Sequence, residues 1–329
     1  VTVGEDDRTD VTMPAPRNRD VLVKVARMYY EDNLSQQQVA EELGLSRANV
    51  SRILASAREQ GIVDIRIHDP SGRDTTLEGE IQSAFGLADC RVVSGRPYEA
   101  ALRQVGPVAA EWLLDSLRAE QRVSLSWGRT LQAMVDAVDT DRTFPVEVLP
   151  LVGGLSSVTS EITGEELVRE LATRLGTTFQ RLHAPALLES AAARTTLMAE
   201  PAIASVLQAA AHSSLSFVGL GAYGVGSSAA VIDALRLTPT QRARFVRANP
   251  VGDVCARFFD ADGQEIHGEV HDRVLAVSIA DLRAIATVVG LAVGEEKARG
   301  VLGALRGGFL NVLICDDALA KALLALAER

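Results

Sequence analysis

Four glycine-bearing segments of this chain carry residue types that can hold an anion. Gly128-Arg129-Thr130 follows the apolar run Val123–Trp127 and precedes Leu131, Met134, Val135 and Val138 at helical spacing. A strand, a glycine turn and a hydroxyl at a helix start bring free amides and the positive end of a helix dipole to one point. That arrangement favours phosphate, with Arg129 and Thr130 as further donors. Taken alone, the same string also fits an ordinary strand-to-helix turn. Three more runs end similarly: Val146–Val152 in Gly153-Gly154-Leu155-Ser156-Ser157, Ser216–Leu220 in Gly219-Leu220-Gly221-Ala222, and Ala286–Val293 in Gly294-Glu295-Glu296-Lys297. An open parallel sheet gathers the C-terminal ends of its strands on one edge, where ligands bind. The pattern therefore predicts a small anionic ligand at Ser126, Gly128, Arg129, Thr130, Gly153, Gly154, Leu155, Gly219 and Gly221. Lys297 can pair with its charge, although it also reads as a solvated lysine. Asp253, placed before a strand at Phe258-Phe259, can accept bonds from sugar hydroxyls, and Asp260-Ala261-Asp262-Gly263 reads as a hairpin turn.

A second chemistry lies near the N-terminus. Leu22, Val25, Ala26 and Tyr29 follow i, i+3, i+4, i+7 spacing, as do Val50, Ile53, Leu54 and Ala57. Between them Ser35-Gln36-Gln37-Gln38 fits a capping box opening a helix with Val39, Ala40 and Leu43 on its buried face. In Gly44-Leu45-Ser46 the glycine can end that helix, the leucine can plug the core and the serine can cap the next helix. The front of that helix is small, polar and cationic. A DNA major groove admits such a face: Arg52 can reach guanine edges, Asn49 can pair with adenine, and Arg47 with the Ser46 amide can hold phosphates. The DNA-facing set is Gln36, Ser46, Arg47, Ala48, Asn49, Ser51 and Arg52. Beyond Gly61, Val63, Ile65 and Ile67 alternate with Asp64, Arg66 and His68, as a wing strand would. A plain three-helix bundle would show the same apolar stripes, but not the capped turn, small front face and following strand together.

These two chemistries need two kinds of scaffold. The chain has 329 residues, 47% of them hydrophobic, which suits two domains with a buried core. Residues 1–16 are polar and read as a disordered leader, 17–68 as a winged helix-turn-helix, 69–76 (DPSGRDTT) as a linker, and 77–329 as an effector-binding and oligomerisation domain. In the last, the runs Arg91–Ser94, Val123–Trp127, Val146–Val152, Ser216–Leu220, Val274–Ser278, Ala286–Val293 and Asn311–Cys315 alternate with helical stretches. That is the signature of an α/β domain with an open, largely parallel sheet. Net charge is −10, yet residues 17–66 carry eight Lys/Arg against seven Asp/Glu, so a local DNA-contacting face is allowed and a basic sheath is not. Cys90, Cys255 and Cys315 lie far apart, which fits a reducing cytoplasm better than disulfides or a zinc cluster. No apolar run is long enough for a membrane span and no signal sequence is visible. Gly219-Leu220-Gly221 lacks the third glycine of a dinucleotide fingerprint, and His183, His212, His267 and His271 lack metal spacing, so neither a cofactor nor a metal is expected.

In order along the chain, LSQQQVAEELGLSRANVSRILASAREQG (34–61), SLSWGRT (124–130), LPLVGG (149–154), VGLG (218–221), Val251-Gly252-Asp253 with Phe258-Phe259-Asp260, and KARGVLGALRGGFLNVLICD (297–316) resemble the SorC family of bacterial sugar-binding transcriptional regulators. The resemblance covers about residues 20–329. It implies a winged helix-turn-helix joined to an effector domain similar in fold to sugar-phosphate isomerases and glucosamine-6-phosphate deaminases. It also implies a phosphorylated sugar or polyol as inducer, and a homotetramer on an operator. The leading expectation is a repressor of a sugar or polyol catabolic operon that binds operator DNA as a homodimer or homotetramer. The chain departs from the family at Ala292-Val293-Gly294, where Ala-Gly-Gly is usual. The competing expectation is a sugar-phosphate isomerase or deaminase carrying a DNA-binding head, since fold alone does not separate the two. Such an enzyme needs a carboxylate or histidine base in its pocket. The glycine loops offer Arg129, Thr130, Ser156, Ser157 and Tyr223, which bind but are not bases. A structural nucleoid protein is opposed by the net charge.

Overall fold

The computed structural model describes residues 19–63, 72–95, 97–155 and 164–327. The chain divides between Ile67 and His68 into two compact units. The expected leader, most of the wing strand, the first part of the linker, and Ser156 and Ser157 lie outside the described residues.

The first unit holds α1 (Arg19–Tyr30), α2 (Gln36–Leu43) and α3 (Arg47–Glu59). The Ser35 hydroxyl accepts from the Gln38 amide while Gln38 Oε1 accepts from the Ser35 amide, the reciprocal bonds of a capping box. Gly44 ends α2 at φ +65°, and the Leu45 amide reaches back to the Ala40 carbonyl. The Ser46 hydroxyl caps α3 by accepting from the Asn49 amide at 3.2 Å. Val25, Val39, Val50 and Leu54 then bury one shared core, with Leu45 half-buried against it.

The second unit contains, in chain order, α4 (Thr75–Phe85), β1 (Asp89–Val93), α5 (Tyr98–Ser116), β2 (Arg122–Leu125), α6 (Arg129–Ala137), β3 (Glu147–Pro150), α7 (Gly164–Arg174), β4 (Thr178–Phe179), α8 (Ala191–Met198), α9 (Pro201–Ala211), β5 (Leu215–Ala222), α10 (Gly226–Ala234), α11 (Pro239–Arg247), β6 (Gly252–Val254), β7 (Arg257–Phe259), α12 (Ile279–Ala284), β8 (Thr287–Ala292), α13 (Ala298–Arg306), β9 (Val312–Asp316) and α14 (Asp317–Ala327). The main sheet runs β1-β9-β8-β5-β2-β3-β4 with every pair parallel, and apolar clusters fill both of its faces. Strands buried on both sides explain why the sequence shows continuous apolar runs rather than alternation. Strand β5 outruns its parallel neighbours and pairs antiparallel with β6, which folds back on β7.

Three expectations need correction. The run Val274–Ser278 forms no strand: it makes only single bridges, Leu187 with Val274 and Val152 with Ala276. Val274–Val277 are buried, but the run's backbone bonds go to scattered partners: the Val274 carbonyl accepts from Arg194, that of Leu275 from the Gly153 amide, and those of Ala276 and Val277 from the buried Arg257. Asp253 precedes the strand at Phe258-Phe259, now β7, but it lies in a strand of its own, β6, that the sequence reading lacks. The hairpin turn after it, Cys255-Ala256, has positive φ at both residues without glycine or asparagine to signal it. Finally, 69–76 is not linker throughout. Arg73 bridges to Val93, and Asp74 caps α4 by accepting from the Leu77 amide. The expected turn at Asp260–Gly263 is present, with Gly263 at φ +69° and its amide on the Asp260 carbonyl.

Candidate functional site

A cavity of about 230 Å³ opens at the C-terminal edge of the parallel sheet. Trp127, Gly128, Arg129 and Thr130 from the turn between β2 and α6 form one wall, and Gly219, Leu220 and Gly221 of β5 form the floor. The start of α10, Asp253 and Cys255 of the hairpin, and Glu296 with Lys297 before α13 close it. Neither α6 nor α10 has a side-chain cap, so both helices turn the amides of their first turns on the cavity unspent by their own side chains.

Asp253 is buried and accepts a hydrogen bond from the Ser228 hydroxyl. Burial pushes its carboxyl up to about 6, against the Ser228 bond and the nearby Lys297 charge, which favour the anion. Burial likewise lowers the Lys297 ammonium, opposed by Glu296, Asp253 and Asp316. Because the folded-state value of Asp253 lies above its ordinary 3.8, the folded protein holds the extra proton between roughly pH 4 and 6. Stability from this group is fully present below that window and is lost as pH rises through it. Urea melts of Asp253→Asn, which keeps the Ser228 bond without the charge, should therefore match wild type near pH 4 and exceed it at pH 7. An equal difference at both pH values would contradict the assignment.

Asp253 and Lys297 are brought together by three glycines whose backbones touch. A Cβ on Gly252 would stand 2.7 Å from both the Gly221 carbonyl oxygen and the Gly300 Cα. A Cβ on Gly300 would overlap the Gly221 carbonyl oxygen, and one on Gly221 would overlap Asp253 and Ser228. Strands β5 and β6 and helix α13 therefore meet at backbone distance directly behind the cavity.

The residues expected from sequence divide into groups. Gly128, Arg129, Thr130, Gly219, Gly221, Asp253 and Lys297 do line the cavity. Arg129 is exposed at its rim, 2.6 Å from Glu99 and with its guanidinium over the Tyr98 ring. The Thr130 hydroxyl is buried and points to the Leu291 carbonyl at 3.4 Å. Ser126 is buried off the lining and accepts from the Gly219 amide at 2.9 Å, so it sets the floor. Gly153, Gly154 and Leu155 are not brought to the cavity. The Gly153 amide is spent on the Leu275 carbonyl and that of Gly154 on Ala184, while Leu155 is buried in the core. There Gly153 serves close packing, since its Cβ would lie 2.6 Å from the Ala184 carbonyl oxygen, whereas one on Gly154 would stand 3.9 Å from the same atom. Val293 is buried too, and its side chain joins the core rather than the cavity. Sequence reasoning missed Tyr98, Cys255, Glu296 and the Val225–Ser227 turn. Only the last had a usable signal, the string Gly224-Val225-Gly226-Ser227-Ser228 after a strand.

On the first unit, Arg47, Ala48, Asn49, Ser51 and Arg52 are all exposed on one side of α3, Gln36 is half-buried at the start of α2, and the Ser46 hydroxyl is occupied by its cap. Among the described residues, no helix is long and apolar enough to cross a membrane.

The family model described as "Putative sugar-binding domain" matches residues 69–325, and that of the MarR family matches residues 26–74. The chain is 30% identical to the sorbitol operon regulator of Klebsiella pneumoniae, covering 92% of this chain and 97% of the relative. It is 29% identical to the deoxyribonucleoside regulator of Bacillus subtilis, covering 93% and 97%. The crystal structure of the full-length sorbitol operon regulator SorC superposes with a TM-score of 0.72 at 29% identity over 94% of this chain and 99% of that one. The sugar-binding domain of a transcriptional repressor from Vibrio fischeri gives 0.71 at 26% identity, over 78% and 100%. The first two relatives are named as regulators, and the Vibrio fischeri protein as a transcriptional repressor.

Proposed function

This chain belongs to the SorC family of sugar-binding transcriptional regulators, and from that premise we propose that it controls a sugar or polyol catabolic operon in the cytoplasm, as a repressor whose operator affinity is set by a phosphorylated effector. The observation that carries the anionic effector is the convergence of two uncapped helix starts and Lys297 on one small cavity. Amides and helix dipoles favour phosphate there, while Asp253 with Ser228 takes hydroxyls. A ligand changes operator affinity only if it binds one arrangement of the protein better than another, so the effector must prefer the state in which the DNA-facing units are misplaced.

The test compares sugar phosphates with their unphosphorylated parents by calorimetry, in wild type and in Lys297→Ala. The phosphate should bind more tightly, and Lys297→Ala should remove about tenfold of that preference, ~1.4 kcal/mol. Equal binding of the neutral sugar would end the phosphate assignment and leave the DNA assignment standing.

The protein acts as a dimer or tetramer in this reading. One helix-turn-helix makes few phosphate contacts, and linked heads on a repeated site gain affinity through effective concentration. Light scattering at operator-binding concentrations should give at least twice the 35.1 kDa chain mass; a monomer would overturn this part. The enzyme reading keeps one specific support: Asp253, at about 6, is a carboxylate of useful basicity beside Lys297. Turnover of aldose or ketose phosphates on incubation would favour it.

A further inference from the structure

Tyr98 stands between two cavities. It lines the sheet-edge cavity of about 230 Å³ and also a more open one of about 520 Å³, bounded by Gly95, Val293, Gly294 and Asp316. Glu296 is the other side chain common to both. The smaller cavity lies below the ~300–1,000 Å³ usual for ligand pockets, which limits it to about one sugar unit. A longer ligand leaving the smaller cavity on this side would pass Tyr98 and Glu296, the side chains the two cavities share.

That ring is held in place. Tyr98 opens α5, the Arg129 guanidinium sits 5.1 Å from its centre, and Glu99 grips the same guanidinium at 2.6 Å. Burial raises the phenol above its ordinary value, so the wall is uncharged at neutral pH. Beyond it the polar side chains that the smaller cavity does not share are carboxylates, Glu295 and Asp316, the latter accepting from the Gly294 amide at 2.9 Å. Carboxylates repel a phosphate and accept bonds from hydroxyl or amine donors.

We infer that Tyr98 determines the length of the effector: it stops the ligand at one sugar unit, and the space it blocks suits a neutral or cationic extension rather than a second phosphate. This rests on reading the smaller cavity as the effector site.

The experiment uses the full-length protein and calorimetry with two probe series. One is a panel of tetrose to hexose monophosphates and disaccharide monophosphates, and the other is the same sugars without phosphate. Wild type should bind one-sugar members and reject disaccharides. Tyr98→Ala should bind a disaccharide monophosphate at least tenfold more tightly than wild type does. Tyr98→Phe, which keeps the ring, should retain the wild-type cut-off. Tyr98→Leu serves in place of the alanine variant if the latter fails to fold by circular dichroism. The inference falls if wild type already takes disaccharides as well as single sugars, or if a folded ring-removal variant keeps the cut-off. If only the unphosphorylated series binds, the anion reading fails while the cut-off in that series still decides the role of Tyr98. If neither series binds, both fall.

Discussion

Gly300→Ala is expected to lower the melting temperature by about 2–12 °C and to weaken effector binding with it, since overpacking a tight contact costs ~1–3 kcal/mol and each kcal/mol is worth ~2–4 °C in a unit of this size. Gly300 lies in the first turn of α13, shortly beyond Lys297. Its added Cβ would overlap the Gly221 carbonyl oxygen and come within 3.1 Å of the Ala222 Cα. Those obstacles are backbone atoms of a central strand, which cannot swing aside as a side-chain end can. The helix must lift, and because Gly221 is paired with Asp253, lifting it separates Lys297 from Asp253. Gly79→Ala provides the opposite sign. Gly79 sits in α4, where an added Cβ would meet nothing within 4 Å, so alanine there should stabilise by ~0.5–1 kcal/mol through helix propensity alone. Thermal melts of both variants, with and without a bound sugar phosphate, check the pair. Equal melting temperatures for Gly300→Ala and wild type would mean that the three-glycine contact does not set the site.

Arg52→Ala should cost ~1–3 kcal/mol on the operator and relax preference at one base position, because a bidentate arginine–guanine contact carries that much discrimination. Arg52 is exposed on the face of α3 opposite the buried Val50, Leu54 and Ala57, beside the small side chains of Ala48 and Ser51. Small neighbours permit close approach to a groove floor. Binding to an operator found by in vitro selection, compared with random duplex at the same salt, separates the roles. An equal loss on both sequences would make Arg52 a phosphate contact. Arg47→Ala, at the helix start, should instead weaken both about equally.

Much of this molecule is local, and local features are legible in a sequence. The capping box at Ser35, the left-handed Gly44 and the Ser46 cap each depend on residues within a few positions, so type and spacing suffice to predict them. The parallel α/β unit was legible for a similar reason, because strands buried on both faces need continuous apolar runs and crossover helices between them. The same rule misled at Val274–Ser278, where burial is real but the backbone bonds are shared among Arg194, Arg257 and single amides and carbonyls of other segments. The glycine loops show the limit most clearly. Gly128 and Gly153 each follow an apolar run, yet one faces a cavity and the other is pressed against Ala184–Ala186. Sequence determined that both positions need a residue without a side chain. At Gly128 the need is conformational, a φ of +132° with nothing within 4 Å of an added Cβ, and at Gly153 it is a neighbouring backbone; only the fold separates the two. Lys297 and Asp253 were legible as candidates from the glycine loop and the strand beside them, but Tyr98, which opens α5, has nothing in its neighbourhood that announces the same site. The meeting of Lys297 with Asp253 depends on contacts among the backbones of Gly221, Gly252 and Gly300, far apart in the chain, which only the tertiary structure supplies.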